Sequence, residues 1–134
     1  MFSLHPSLAT KIYVGELSFC TVLMEDVADF VWLFLVPRKE NTRNMLDLTH
    51  DERMLLMNEI ELTESTLTRL FHPDQTNVAM IGNITPQLHV HVICRYKNDA
   101  VWPNTVWGHK LPAYTDDKKK EIVELLKKEL ICQK

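Results

Sequence analysis

Residues 86–93 read PQLHVHVI, a stretch in which polar and apolar side chains largely alternate. Side chains of a β-strand point to opposite faces in turn, with a rise of about 3.3 Å per residue. The alternation predicts a strand with Gln87, His89 and His91 on one face and apolar residues on the other. Burial explains the apolar face, whereas the histidines need a further reason.

Two histidines on one strand face lie close enough together to share a ligand. Alternate residues are about 6–7 Å apart, so His89 and His91 can address one phosphate group or one metal ion. A neutral imidazole is a competent nucleophile at physiological pH because its unperturbed pKa is about 6.5. A zinc site would need one or two further ligands from elsewhere in the chain or from a partner, since Cys94 has the opposite strand parity.

Amide and guanidinium groups favour phosphate over a metal at this face. A hairpin through Gly82 returns Asn77 to the side of the histidines, where Gln87 and Arg95 also lie by parity. Phosphoryl and nucleotidyl transfer need a nucleophile for in-line attack and hydrogen-bond donors around the phosphoryl oxygens. We therefore rank nucleotidyl chemistry first, a metal site second and an unused pair of exposed histidines last.

The rest of the chain predicts an α+β fold. Strand patterns cover residues 11–16, 20–24, 31–36, 75–81 and 88–96. Thr49 and Glu52 have capping-box spacing, and apolar residues recur every three or four positions from there to Phe71. A second helix begins at Asp116 and carries an apolar face to Leu130. The order strands, helix, strands, helix predicts an antiparallel sheet of about five strands with two helices on one side.

Composition limits the classes of function. A chain of 134 residues with 46% hydrophobic and 25% charged residues predicts one globular domain over residues 1–134. The net charge of −3 argues against nucleic acid or an anionic membrane as partner. No apolar run reaches the roughly 20 residues that span a bilayer, and no signal-peptide pattern is present. Three cysteines without paired spacing argue against a disulfide framework and predict a cytoplasmic location.

The pattern of residues 82–93 resembles the signature of the histidine triad family of nucleotide hydrolases and transferases. That signature is His-x-His-x-His followed by two apolar residues. Residues 32–39, WLFLVPRK, are similar to the central strand of the family and its proline-basic end. Asn77 stands where the family has a phosphate-binding asparagine. The resemblance covers residues 10–96 and leaves the loop and helix at 97–134 unaccounted for.

Two departures from the family pattern affect the site. Gln87 replaces the first histidine of the triad, and an amide cannot carry a proton as an acid. Trp32 stands where many relatives have a histidine that touches the triad, so the two changes form a coupled pair. Ile84 stands near a position where relatives place a phosphate-binding hydroxyl, for which Asn83 or Thr85 could substitute.

Roles for individual residues follow from the resemblance. It implies that His89 attacks the α-phosphorus of a nucleotide and forms a covalent nucleotidyl-histidine, while its other ring nitrogen donates to a backbone carbonyl. His91 would donate to a phosphoryl oxygen, and Gln87 would orient the site. The remaining candidates are Asn77, Asn83 and Thr85 for phosphate and Glu25 or Asp26 for ribose.

The resulting prediction is a hydrolase of dinucleoside polyphosphates or nucleoside phosphoramidates. A nucleotide-binding or sensing module that lost turnover with its first histidine is the alternative, and a metal-dependent hydrolase using His89 and His91 is the third. We expect no resident cofactor, with a divalent cation entering only on a polyphosphate substrate. The resemblance also implies a homodimer. Trp107 would either reach the site of the partner or pack on the sheet of its own chain, whereas Trp102 has no assigned role.

Overall fold

The computed structural model of the chain describes residues 1–132 and contains five strands and three α-helices. The elements are α1 (Pro6–Ala9), β1 (Ile12–Glu16), β2 (Cys20–Met24), β3 (Trp32–Pro37), α2 (His50–Phe71), β4 (Gln75–Ala79), β5 (Val90–Arg95) and α3 (Asp116–Leu126). A 3₁₀ turn at Met45–Asp47 precedes α2, and a π-helical turn at Lys127–Ile131 follows α3. The predicted α+β class, the five strands and the two long helices are confirmed, with the short α1 in addition.

The strands form one antiparallel sheet in the order β1-β2-β3-β5-β4. Because α2 connects β3 to β4, and β5 then returns between them, the histidine strand lies inside the sheet. Its residue His91 is paired with Phe34 on β3 and with Ala79 on β4. A central strand is hydrogen-bonded on both sides, which fixes the position of its side chains.

The two long helices pack on the same face of the sheet, as predicted. Leu56, Ile60 and Leu67 of α2 join Leu126 of α3 and the inward residues of the strands in one buried core. Thr49 caps α2 by accepting from the backbone N–H of Glu52, whose side chain accepts from the N–H of Thr49 in return. The capping box thus starts α2 where the sequence predicted.

The opposite face of the sheet is covered by short segments instead of long helices. Its aromatic centre is Trp32 and Phe34, and it is closed by Leu8 of the amino-terminal arm (residues 1–9) and by Val101 and Val106 of the loop before α3. An irregular cover of this kind leaves open space between its pieces. His91 points to this face, because it is paired with Phe34 and shares its orientation.

The histidine strand begins later than predicted. Sequence alternation placed its start at residue 88, whereas β5 begins at Val90. The backbone N–H of Leu88 donates to the carbonyl of Thr42, in the loop after β3, at 2.9 Å. Residues 86–89 are therefore held by loops and not by the ladder of a neighbouring strand. None of the helices among residues 1–132 is long and apolar enough to cross a membrane.

Candidate functional site

A cavity of about 440 Å³ opens on the loop-covered face of the sheet beside both histidines. One part of its wall is apolar and aromatic, formed by Leu8, Trp32, Phe34, Ile81, Ile84 and Trp107. The other part is polar and contains Ser7, Lys11, Glu25, Asn83, Thr85 and the two imidazoles. A volume of this size is typical of small-molecule sites, in which a few polar groups orient a mostly apolar ligand body.

The tautomer of His89 follows from one hydrogen bond. Its Nδ1 lies 2.7 Å from the carbonyl oxygen of Gln87. A carbonyl oxygen can only accept, so Nδ1 carries the proton and donates. In the neutral ring Nε2 then has a free lone pair, and the His89 side chain lines the cavity. The arrangement presents a nucleophilic nitrogen to whatever occupies that space.

His91 has the opposite tautomer. The indole Nε1–H of Trp32 donates to Nδ1 of His91 at 2.9 Å, and an indole N–H can only donate. Nδ1 is therefore the acceptor, and the ring proton of His91 lies on Nε2. Burial, with the neighbouring His89 and Lys11 adding to it, lowers the pKa of His91 to about 3, so the ring is neutral at physiological pH.

The rings of His89 and His91 lie side by side and have complementary hydrogen-bonding groups. Their centroids lie 5.0 Å apart, His89 offering a lone pair and His91 an N–H. The indole of Trp107 packs edge-on against His91, with centroids 5.1 Å apart, and against Trp32 at 6.2 Å. A nucleophile and a neutral donor side by side are what attack on a phosphoryl group requires.

Gln87 does not lie among the residues that line this cavity. Its Oε1 accepts from the backbone N–H of His5 at 2.7 Å, and its Nε2 donates to the carbonyl of Ser3 at 2.9 Å. Both polar atoms of the amide are thereby used on the amino-terminal arm. The predicted face shared by Gln87 and the histidines is not formed, because residues 86–89 leave the strand geometry on which the parity argument depended.

Asn77 shares the face of His91, as the predicted hairpin required, yet it lies outside the cavity. It is paired with Ile93 on β5, and its Oδ1 accepts from Nη1 of Arg95 at 3.0 Å. Arg95 in turn is 2% exposed and pairs with Asp99 at 2.9 Å. Two of the predicted phosphate donors, the half-buried Asn77 and the buried Arg95, are therefore bonded to each other and to Asp99 outside the cavity.

The predicted phosphate and ribose residues divide in the same way. Asn83, Thr85 and Glu25 line the cavity, whereas Asp26 does not. Asp26 accepts from the backbone N–H of Tyr114, which ties its carboxylate to the segment before α3. Glu25 accepts from Nζ of Lys11 at 2.8 Å, so a ligand that uses its carboxylate would share it with an ammonium group.

The chain is similar to known proteins in both sequence and fold. A family model described as HIT domain matches residues 8–98, more than half of the chain. The chain belongs to the histidine triad family. The matched segment is slightly longer than the resemblance over residues 10–96 that the sequence motifs gave.

Solved histidine triad proteins match nearly the whole chain. One from Bradyrhizobium japonicum is 34% identical, with a TM-score of 0.92 over 96% of this chain and 98% of its own. One from Marinobacter aquaeolei VT8 is 35% identical, with a TM-score of 0.93 over 98% and 97%. A third, from Sinorhizobium meliloti 1021, is 29% identical, with a TM-score of 0.92 over 97% and 98%. A separate comparison with curated proteins found no match.

Several residues of this histidine triad site were missed by sequence reasoning. Ser7 and Leu8 come from the amino-terminal arm, for which the sequence carries no signal beyond a short helix start. Lys11 was read only as the start of a strand, yet its Nζ lies 5.5 Å from the ring centroid of Phe34. Of the two places considered for Trp107, the site of a partner and the sheet of its own chain, the structure shows it against His91 of its own chain.

In the part of the chain that the structure describes, the metal alternative lacks a third ligand beside His89 and His91. Among residues 1–132 no three His, Cys, Asp or Glu side chains come together in a geometry that holds a metal ion. His5, His72 and His109 lie outside the cavity lined by His89 and His91.

Replacement of Trp32 tests the tautomer of His91. We expect Trp32→Phe to lower kcat about tenfold, because Nδ1 of His91 loses its donor and the ring proton is no longer fixed on Nε2. The unpaired buried nitrogen would also destabilise the fold by about 1–3 kcal/mol. ¹⁵N chemical shifts of the imidazole rings measure the tautomer directly. Trp102→Phe removes an indole N–H outside the cavity, and the interpretation is wrong if both variants lose activity equally.

The buried neutral state of His91 predicts a pH dependence of stability. Its pKa of about 3 lies below the 6.5 of an unfolded histidine, so between these values the unfolded chain binds the extra proton. This contribution therefore destabilises the fold progressively as the pH falls from about 6.5 towards 3. Urea unfolding at pH 7.5, 6 and 5 measures it, and in His91→Asn the slope over that range should be shallower.

Proposed function

We propose that this histidine triad protein hydrolyses a nucleotidyl bond through a covalent intermediate on His89. The observation that carries the proposal is the hydrogen bond from Nδ1 of His89 to the carbonyl of Gln87. It leaves Nε2 unprotonated beside a cavity large enough for a nucleoside monophosphate. Dinucleoside polyphosphates and nucleoside phosphoramidates are the substrate classes that the family resemblance implies.

The first step is attack of Nε2 of His89 on the α-phosphorus. The new P–N bond forms as the bond from phosphorus to the leaving group breaks, and the leaving group departs with the electron pair. Nε2–H of His91 stabilises the charge on a phosphoryl oxygen, with Asn83 as a further donor on the same wall. Water then attacks phosphorus, the P–N bond breaks, and the nucleoside monophosphate is released.

The apolar wall suits the nucleoside part of such a substrate. Phe34 and Trp107 offer aromatic surface to a base, and Leu8 and Ile81 extend it. Lys11 supplies positive charge close to the polar wall, where the phosphate group would lie. Glu25 is the remaining ribose candidate, and its carboxylate would accept from the ribose hydroxyls while it stays paired with Lys11.

Trapping of the intermediate tests the proposal. The protein is mixed with an adenosine phosphoramidate, quenched within the first turnover at neutral to alkaline pH, digested and analysed by mass spectrometry. We expect an adenylyl group on His89 and catalytic release of AMP. Nucleotide affinity without release or adduct would favour the binding-module alternative, and loss of release on addition of a chelator would favour the metal-dependent one.

We also propose that the protein acts in the cytoplasm as a homodimer. β4 is an outer strand of the sheet, and the apolar side chains of Val78, Met80 and Ile81 on and after it are 40–44% exposed. An open strand edge with apolar side chains favours pairing with a second chain. Val78→Lys should convert a dimer to a monomer in sedimentation, whereas Tyr13→Lys on the opposite outer strand should leave the dimer intact.

A further inference from the structure

The amino-terminal arm carries a chain of hydrogen bonds that ends in the cavity. Oγ1 of Thr85 lies 2.7 Å from Oγ of Ser7, and Oγ of Ser7 lies 2.8 Å from Nδ1 of His5. Ser7 and Thr85 line the cavity of His89, while His5 lines a neighbouring cleft of about 400 Å³. The three groups therefore connect the reaction space with a second opening.

The direction of these hydrogen bonds is fixed by the backbone. The N–H of Ser7 donates to Nδ1 of His5 at 3.1 Å, so Nδ1 is an acceptor and the proton of the neutral ring lies on Nε2. The hydroxyl of Ser7 must then donate to Nδ1, and it accepts from the hydroxyl of Thr85. Oγ1 of Thr85, a residue that lines the cavity, then has lone pairs that can accept a proton, while its own proton is used in the bond to Ser7.

An acceptor at this position would assist the second step of the reaction. A base that takes the proton of the attacking water typically accelerates such a step by about 10²–10⁴-fold. The carboxylate of Glu25 on the same wall is already paired with Lys11. In this chain Gln87 replaces the first histidine of the triad and has no basic atom. His91 cannot serve, because its free nitrogen already carries a proton.

We propose that Thr85, Ser7 and His5 form a proton relay that accepts the proton of the hydrolytic water. The inference depends on the proposed function and names the base for its second step. As the oxygen of water bonds to phosphorus, its proton passes to Oγ1 of Thr85, the Thr85 proton to Ser7, and the Ser7 proton to Nδ1 of His5. The P–N bond breaks, its electron pair returns to Nε2 of His89, and the imidazolium of His5 loses its extra proton to solvent.

The relay gives Gln87 a function that differs from the role of the histidine it replaces. Through the backbone of Ser3 and His5 its amide fixes the arm beside the histidine loop. Thr85 contacts the water, whereas Gln87, Ser7 and His5 act through it, Gln87 as a positioning residue. Gln87 cannot act as an acid or base itself, but it holds the amino-terminal arm, which carries the base His5.

The test separates water from a nucleophile that needs no base. The adenylyl-His89 intermediate is formed in a rapid-quench instrument, and its decay is followed in water alone and with added azide. Azide attacks phosphorus as the anion and breaks the same P–N bond. We expect His5→Gln to slow hydrolysis by water at least about 100-fold and to leave the reaction with azide within about twofold of the unmodified protein.

Further variants keep the test independent of any one substitution. Ser7→Ala interrupts the relay at its centre, and its effect should match that of His5→Gln and not add to it in the double variant. His50→Gln, an exposed histidine at the start of α2, is the control and should hydrolyse the adduct normally. Equal loss with water and azide in both relay variants would mean only structural damage and overturn the relay.

Failure of the two proposals can be told apart. If the unmodified protein forms no adduct on His89, the proposed function is wrong and the relay falls with it. If the adduct forms, and His5→Gln and Ser7→Ala hydrolyse it at the normal rate, the relay alone is overturned. Retained second-step chemistry in Gln87→Ala would contradict the positioning role of the amide.

Discussion

His89→Asn should reduce turnover of an adenosine phosphoramidate by about 10⁴-fold or more. The substitution removes the nitrogen that bonds to phosphorus, and loss of a covalent nucleophile typically costs rates of that order. Binding of AMP should change much less, since His89 contributes a lone pair and not a donor to the ground state. Single-turnover kinetics and AMP titration measure the two effects separately.

The control for this variant is a second histidine in a similar substitution. His72 caps the C-terminus of α2 in the left-handed region at φ 48°, a conformation that asparagine tolerates well. His72→Asn should therefore remain folded and fully active. Turnover in His89→Asn above about a tenth of the unmodified rate would exclude His89 as the nucleophile.

Asp99→Ala should destabilise the fold by about 3–5 kcal/mol, because it leaves the buried guanidinium of Arg95 without its charge partner. The two side chains are 3% and 1% exposed and form hydrogen bonds at 2.9 and 3.1 Å. Asp99 also accepts from the backbone N–H groups of Tyr96, Val101 and Trp102. Urea unfolding measures the loss, and the position of Trp107 in the site should be disturbed with it.

The control is an exposed ion pair of the same kind. Lys118 and Glu121 on α3 are 56% and 66% exposed at 3.0 Å, and exposed pairs contribute about 0–1 kcal/mol. Glu121→Ala should therefore change stability by less than about 1 kcal/mol. A similar small loss in Asp99→Ala would contradict a structural role for the buried pair.

The same carboxylate predicts acid sensitivity. Burial alone would raise the pKa of Asp99, but hydrogen bonds from Arg95 and from the backbone outweigh it and hold the pKa at about 2. An unfolded aspartate has a pKa of about 3.9, so this group stabilises the fold above that pH. The contribution is lost as the pH falls from about 4 towards 2. In Asp99→Asn the free energy of unfolding, measured in urea, should therefore depend less on pH across that range.

Sequence patterns predicted the elements of the fold closely where one physical rule decided them. The capping box at Thr49 and the apolar spacing after it gave the bounds of α2 to within one residue. The prediction for β5 was less accurate at its start, because alternation of side chains continues through residues 86–89 while the backbone is held by the loop after β3. Alternation describes which side chains are polar and does not show where a ladder ends.

The structure brings some of the predicted site residues together at the cavity and places others elsewhere. His91 lies beside His89 in the cavity, and Asn83, Thr85 and Glu25 line it as well. Gln87 and Asn77 were also predicted to act at this site. The amide of Gln87 is instead bonded to the amino-terminal arm, and the amide of Asn77 to Arg95. Where an amide finds its partner depends on segments that are distant in sequence, which no local pattern records.

The sequence by itself determined the family, the antiparallel sheet and the strand that presents the histidines, because these follow from residue spacing and from periodic burial. The family resemblance implied a backbone carbonyl as partner of His89, but only the tertiary structure showed which carbonyl it is and set the tautomer of His91. The carbonyl of Gln87 and the indole of Trp32 set opposite tautomers on His89 and His91. The arm likewise enters the site through a contact between His5 and Gln87, 82 residues apart in the chain. Hydrogen bonds of this kind act over about 3 Å, so the folded chain alone determines which groups meet.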